Sequence, residues 1–148
     1  MKTYVLMVSV KFPKNHIKAG KPTGFVEKIP NIKIHTLRSN YHLWKKRFTE
    51  IEKGNACLSV RVWQDKAYRS KQLEVYRFNK SHGIGIEKYR KDISSIVSDD
   101  GNRIVTMSRE ILANNDGLQK DDFNNWFKHH NILQPLAVIH FTKFRYLN

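Results

Sequence analysis

The sequence predicts one α+β domain spanning residues 1–148, built as a curled or closed β-barrel of about six strands with short peripheral helices. Three observations predict it. Short runs of strand-like alternation recur along the chain, stretches with helical spacing separate them, and a late segment is apolar on both faces. No repeat, low-complexity tract or linker divides the 148 residues, a length that suits one hydrophobic core.

Tyr4 to Phe12 alternates, with Tyr4, Leu6, Val8, Val10 and Phe12 on one face, and reads as the first strand. Pro13 to Pro30 is a long basic loop carrying three prolines, Gly20 and Gly24, with a short helical turn expected at Phe25–Ile29. Ile32 to Arg38 reads as a second strand. Ser39 or Asn40 then caps a helix whose apolar face is Tyr41, Trp44, Phe48 and Ile51, and Gly54 stops it. Cys57–Trp63 and Tyr68–Phe78 form a hairpin across Gln64-Asp65-Lys66, and Ile84–Tyr89 is a further strand. Asp100-Gly101 is a turn dipeptide for a second hairpin. Ser108–Asn114 and Gln119–His129 read as short helices, the latter burying Phe123, Trp126 and Phe127. Pro135–Phe144 is the closing strand.

Charge bounds the function. The chain has 27 Lys and Arg against 13 Asp and Glu, a net charge of +14. Residues 1–50 hold 11 of the bases and two acids, Glu27 and Glu50. Such a block concentrates anions and speeds capture of a polyanion, although a solvated lysine-rich surface gives the same composition. No apolar run approaches the roughly 20 residues that a membrane helix needs, and the amino-terminal segment, broken by Lys11, reads as a strand and not a signal peptide. Cys57 is the single cysteine, which excludes an internal disulfide and a multi-cysteine zinc site; a reducing cytoplasm is the expected setting. The seven histidines show no metal-ligand spacing, so no metal and no cofactor is expected. Gly83-Ile84-Gly85 lacks the third glycine of a dinucleotide loop. Trp63, Tyr68 and Tyr76, beside Arg61, Arg69 and Lys71, either stack bases or simply pack the sheet.

The stretch Lys33-Ile34-His35-Thr36-Leu37-Arg38 resembles the signature of the ASCH family, Gly-x-Lys-x-x-Glu/Thr-x-Arg. Asn31 stands at the glycine position, and Asn is one of few other residues that tolerate a positive φ. A later segment, Ala113-Asn114-Asn115-Asp116-Gly117, is similar to the family's Ala-x-x-acid-Gly. The aromatic helix and the closing strand follow in the family's order, so the resemblance runs from about Tyr4 to Tyr146. It implies a PUA-like barrel with a cleft beside the signature and RNA or a nucleoside as partner. One bacterial branch of the family is an amidohydrolase that deacylates acetylcytidine, using a Lys and a Thr of the signature and a later Glu. Those positions fall on Lys33, Thr36 and Asp116, the last one methylene shorter than Glu. Arg38 matches the signature arginine. His35 and Asn31 beside it, Lys21 from the basic loop and Arg61 from the hairpin complete the expected ligand-binding set.

Two function classes follow. One is a module that binds RNA or a nucleotide; the other is an amidohydrolase with Thr36 as nucleophile, Lys33 as base and Asp116 relaying a proton or holding the lysine. Residues 33 and 36 point to opposite faces of a regular strand, so a joint role places Lys33 on the turn before it. On the residues alone, Lys33 is one lysine among many, Thr36 an ordinary strand former, and Asp116-Gly117 a helix stop.

Overall fold

The computed structural model describes residues 1–147. Its elements are β1 (Lys2–Met7), α1 (Phe25–Lys28), β2 (His35–Arg38), α2 (Tyr41–Glu52), β3 (Ala56–Trp63), β4 (Gln72–Phe78), β5 (Gly85–Arg90), β6 (Ser95–Val97), β7 (Ile104–Thr106), α3 (Arg109–Asn115), α4 (Lys120–Trp126) and β8 (Leu136–His140). The fold is α+β, as its sequence predicts, with eight strands in two sheets instead of about six in one barrel. A three-stranded sheet runs β1-β3-β4, with β1 parallel to β3. A five-stranded sheet runs β2-β8-β5-β6-β7, antiparallel throughout.

Among the described residues no strand ladder joins the two sheets, so no closed barrel forms. A side chain bridges them: Arg38 Nη2 of β2 donates to the Met7 carbonyl of β1 at 2.6 Å. That bond occupies the last carbonyl of β1, and the strand ends at Met7, short of the expected Phe12. Likewise β4 begins at Gln72 and not Tyr68. Ser70 Oγ donates to the Lys66 carbonyl and accepts from Asp65 N, which winds residues 65–70 into a longer turn.

Helix α2 follows its pattern. Asn40, not Ser39, is the cap, and its side chain accepts from Leu43 N; Tyr41, Trp44, Phe48 and Ile51 are the buried face. They join Leu58, Val60, Phe78, Ala137 and Ile139 in a first core, between the small sheet and one face of the large one. A second core on the opposite face holds Leu37, Tyr89, Ile96, Leu136 and Val138 against Leu112, Ala113 and Phe123 of α3 and α4. β8 lies between them with every residue buried, which is why its sequence is apolar on both faces. No helix among the described residues is long and apolar enough to cross a membrane.

Phe48 is fully buried in the first core. Phe48→Ala is expected to cost about 3–5 kcal/mol through lost transfer energy and the cavity left behind. Urea unfolding reads it as a lower midpoint at unchanged slope.

Candidate functional site

Lys33 is placed by backbone bonds before its side chain is considered. After α1 and the cis Ile29–Pro30 bond, Ile32 N and Lys33 N both donate to the Lys28 carbonyl at 2.9 Å, winding the chain one further turn. Ile34 is then fixed at both ends: its N–H donates to the Asn115 carbonyl and its carbonyl accepts from Phe141 N, each at 2.9 Å. The result puts Lys33 ahead of β2, on the turn that a joint role with Thr36 requires. Asn31 contributes to that turn with a negative φ, so the left-handed conformation expected there is not used; bonding back to α1 does the work instead.

The Lys33 side chain runs inward and is 1 % exposed. Its Nζ donates to the Asp116 carbonyl at 2.7 Å and to Asp116 Oδ1 at 3.1 Å, and lies 3.9 Å from the centroid of the Phe25 ring. Asp116 is the C-cap of α3, where a cation meets both the last carbonyls and the negative end of the helix dipole. Lys28 adds a second ammonium at this end, donating to the Gly117 carbonyl at 2.9 Å and the Thr23 carbonyl at 3.2 Å. Gly117 has φ +77°, and a Cβ there would stand 3.1 Å from Lys33 Cβ, so the crossing accepts only glycine without strain. Burial lowers the Lys33 pKa to about 8; the Asp116 carboxylate opposes that fall, and the Arg38 charge adds to it.

Asp116 Oδ1 also lies 3.4 Å from His35 Nδ1, without the alignment of a hydrogen bond. His35 Nε2 is 2.6 Å from the Tyr146 hydroxyl, which accepts from Asn115 Nδ2 at 3.0 Å. With Asn115 donating, the hydroxyl proton is free to go to His35 Nε2, an arrangement that leaves the imidazole proton on Nδ1, facing Asp116. Beyond it, the His140 ring stands 5.6 Å from that of His35, edge to face. His140 Nε2 meets Glu87 Oε1 at 2.8 Å, and Glu87 accepts from the backbone N–H of Tyr146 and Leu147. Burial holds His140 down to about 4, so it is neutral at pH 7, and burial pushes the Tyr146 phenol up to about 12. A polar column therefore runs through the protein from Lys33 to Glu87.

The other expected residues fall in different places. Thr36 is 2 % exposed and lies on the face of β2 opposite His35 and Leu37; its hydroxyl makes no hydrogen bond among the described residues. Arg38 is half-buried, and its guanidinium bonds the carbonyls of Leu37 and Met7. Arg61 is held by Ser59 Oγ and Gln72 Oε1 on the outer face of β3, and Lys21 and Asn31 are exposed. The structure thus brings together Lys33, His35 and Asp116, with Arg38 in electrostatic reach. Lys21, Asn31 and Arg61 are not part of that group.

The expected open cleft is a closed polar core. Its nearest opening is a cavity of about 190 Å³ walled by Phe12, Lys18, Thr23, Lys28, Gly117 and Gln119. Lys28, Asn115, Glu87, His140 and Tyr146 had escaped the sequence reading. One signal for them was visible: a histidine at the end of an otherwise apolar closing strand. Among the described residues no group of three or more His, Cys, Asp and Glu side chains is placed to hold a metal ion. Compared with protein-family models, curated proteins and solved structures, the chain matches none.

Two predictions follow from the column. Asp116→Asn removes the charge that sustains the Lys33 ammonium, so the lysine pKa falls below about 8 in a titration of its side-chain NMR signals, and stability drops by about 3–5 kcal/mol. For His140, the folded pKa of about 4 lies below the ordinary 6.5. The unfolded chain therefore binds the extra proton between those values, and stability falls as pH is lowered through that window. Denaturation at pH 7 and pH 5 is expected to show a smaller loss for His140→Gln than for the parent.

Proposed function

We propose that this protein binds RNA, or a nucleotide cut from it, at the cavity above the Lys33–Asp116 pair. The observation that supports this most directly is a juxtaposition. A buried lysine with a pKa near 8 lies against Gly117, which lines a cavity between the most basic third of the chain and residues 117–122. Buried ion pairs are weak sources of stability, and perturbed lysines gather at functional sites.

The cavity suits a base. Phe12 offers an aromatic wall, and the Gln119 amide, with no side-chain partner among the described residues, offers a donor and an acceptor for a base edge. Lys28 and Lys18 stand at its wall, the former holding Gly117 in place and the latter paired with Asp122 at 2.7 Å. The ASCH resemblance of residues 33–38 and 113–117 agrees with the same partner class.

One observation favours a second reading, the amidohydrolase. Lys33 is close enough to neutral to accept a proton at pH 8, and the Thr36 hydroxyl has no hydrogen-bond partner among the described residues. In that reaction Thr36 Oγ adds to the acyl carbonyl carbon, Lys33 takes the hydroxyl proton and passes it to the leaving cytidine amine, and water then frees the acyl group. Thr36 lies on the face of β2 opposite His35, so β2 has to shift to bring its hydroxyl to Lys33, and the Lys28–Gly117 wall has to open to admit the substrate.

One experiment separates the readings. Labelled single-stranded RNA is titrated with protein at about 50 and 200 mM salt, and acetylcytidine is incubated in parallel with release of cytidine followed by chromatography. The binding reading expects affinity that falls steeply with salt, is weakened by Gln119→Ala and Lys28→Gln, and comes with no turnover. Turnover that disappears in Thr36→Ala moves the assignment to the enzyme. Absence of both rejects both.

A further inference from the structure

A second groove lies on the other side of the first core. It is about 580 Å³ in volume and runs between the start of β1 and one stripe of α2, bounded by Lys2, Tyr4, Leu43, Lys46, Arg47 and Glu50. It shares no lining residue with the cavity above Lys33. Positions 43, 46, 47 and 50 follow helical spacing, so they form a single row beside the buried face of α2.

Arg47 is the informative residue. Its guanidinium carbon lies 4.6 Å from the Trp44 ring centroid and 5.6 Å from that of Tyr4, within cation–π reach of both rings. Among the described residues it has neither a hydrogen-bond acceptor nor a carboxylate partner. Lys2 and Lys46 are likewise without an ion pair. The one acid of the groove, Glu50, accepts from Asn55 Nδ2 at 3.1 Å. Three cations against one carboxylate therefore face a groove whose walls are otherwise Tyr4, Leu43 and Thr49. A stacked guanidinium with its N–H edge free is the group that takes two phosphate oxygens at once. An aromatic and an aliphatic wall beside it suit a sugar and a base.

We infer that this groove binds the phosphodiester backbone of a single-stranded nucleic acid, with Arg47 on a phosphate, Lys2 and Lys46 on its neighbours, and a base against Tyr4. The inference rests on the nucleic-acid reading above and narrows it. The cavity and the groove share no lining residue, so a ligand of several nucleotides can engage both and a free nucleoside only one.

The test uses the whole protein, a labelled single-stranded RNA of about twelve nucleotides, and cytidine monophosphate. The variants are Lys46→Gln with Arg47→Gln together, and Arg47→Lys alone, each checked by thermal melting against the parent. The double variant is expected to bind the RNA more weakly, with the slope of log K on log salt reduced by about 1.4, two contacts at roughly 0.7 each. Arg47→Lys keeps the charge and loses the planar fork, so it weakens RNA binding less. Affinity for the mononucleotide stays unchanged in both. If the double variant binds the RNA as the parent does, the groove assignment is overturned while the nucleic-acid reading stands. If the parent binds neither ligand, that reading fails and takes the groove with it. Equal competition by polyglutamate also overturns the assignment, in favour of an acidic peptide.

Discussion

Leu136–His140 has no exposed side chain, and a strand in that position must satisfy two cores at once. Ala137 and Ile139 face the α2 side, while Leu136 and Val138 face α3 and α4. β2 and β5 pair along its two edges, so its backbone polar groups are spent in ladders before any side chain is placed. Once this strand is fixed, so are the register of His35 opposite His140, the turn that carries Lys33, and the helix end that receives it. Placement of the polar column is a consequence of that pairing.

The column itself is an expensive choice in an otherwise apolar interior. A buried ammonium and carboxylate lose hydration that their attraction repays only when the remaining donors and acceptors are matched. Here the matching is nearly complete. Lys33 has two oxygens of Asp116, Glu87 has two backbone N–H groups and His140, and His35 has Tyr146. The exceptions are His35 Nδ1 and His140 Nδ1, buried without a hydrogen bond. Both unmatched atoms belong to the neighbouring imidazoles at the middle of the column, which marks that point as its least settled part.

Local patterns carried much of the architecture. The α2 stripe, the Asp100-Gly101 turn between β6 and β7 and the doubly apolar β8 were legible because each follows from side-chain period or turn chemistry within a few residues. The division into two sheets was not, since it depends on which distant edges pair, and a single Arg38 bond to Met7 stands where a ladder would have closed the barrel. At the site, the signature residues Lys33 and His35 and the late Asp116 were legible as candidates, and the structure brings these three together. Lys28, Glu87 and Tyr146 were not, because their roles come from bonds to backbone groups or to side chains distant in sequence, which composition and spacing do not encode. Arg61 reads as a ligand-binding cation, and in the structure Ser59 and Gln72 hold it apart from the Lys33 group.

The order in which this molecule assembles follows from where its strand partners lie along the chain. β2 ends at Arg38, and its partner β8 begins only at Leu136. Lys33 and His35 likewise wait for Asp116, His140 and Tyr146. During synthesis α2 and the β3–β4 hairpin can form early from neighbouring residues, while the signature segment leaves the ribosome about a hundred residues ahead of the strand that will cover it. Until then the most basic third of the chain has no fixed partner in the large sheet, and the polar column closes among the last steps of folding.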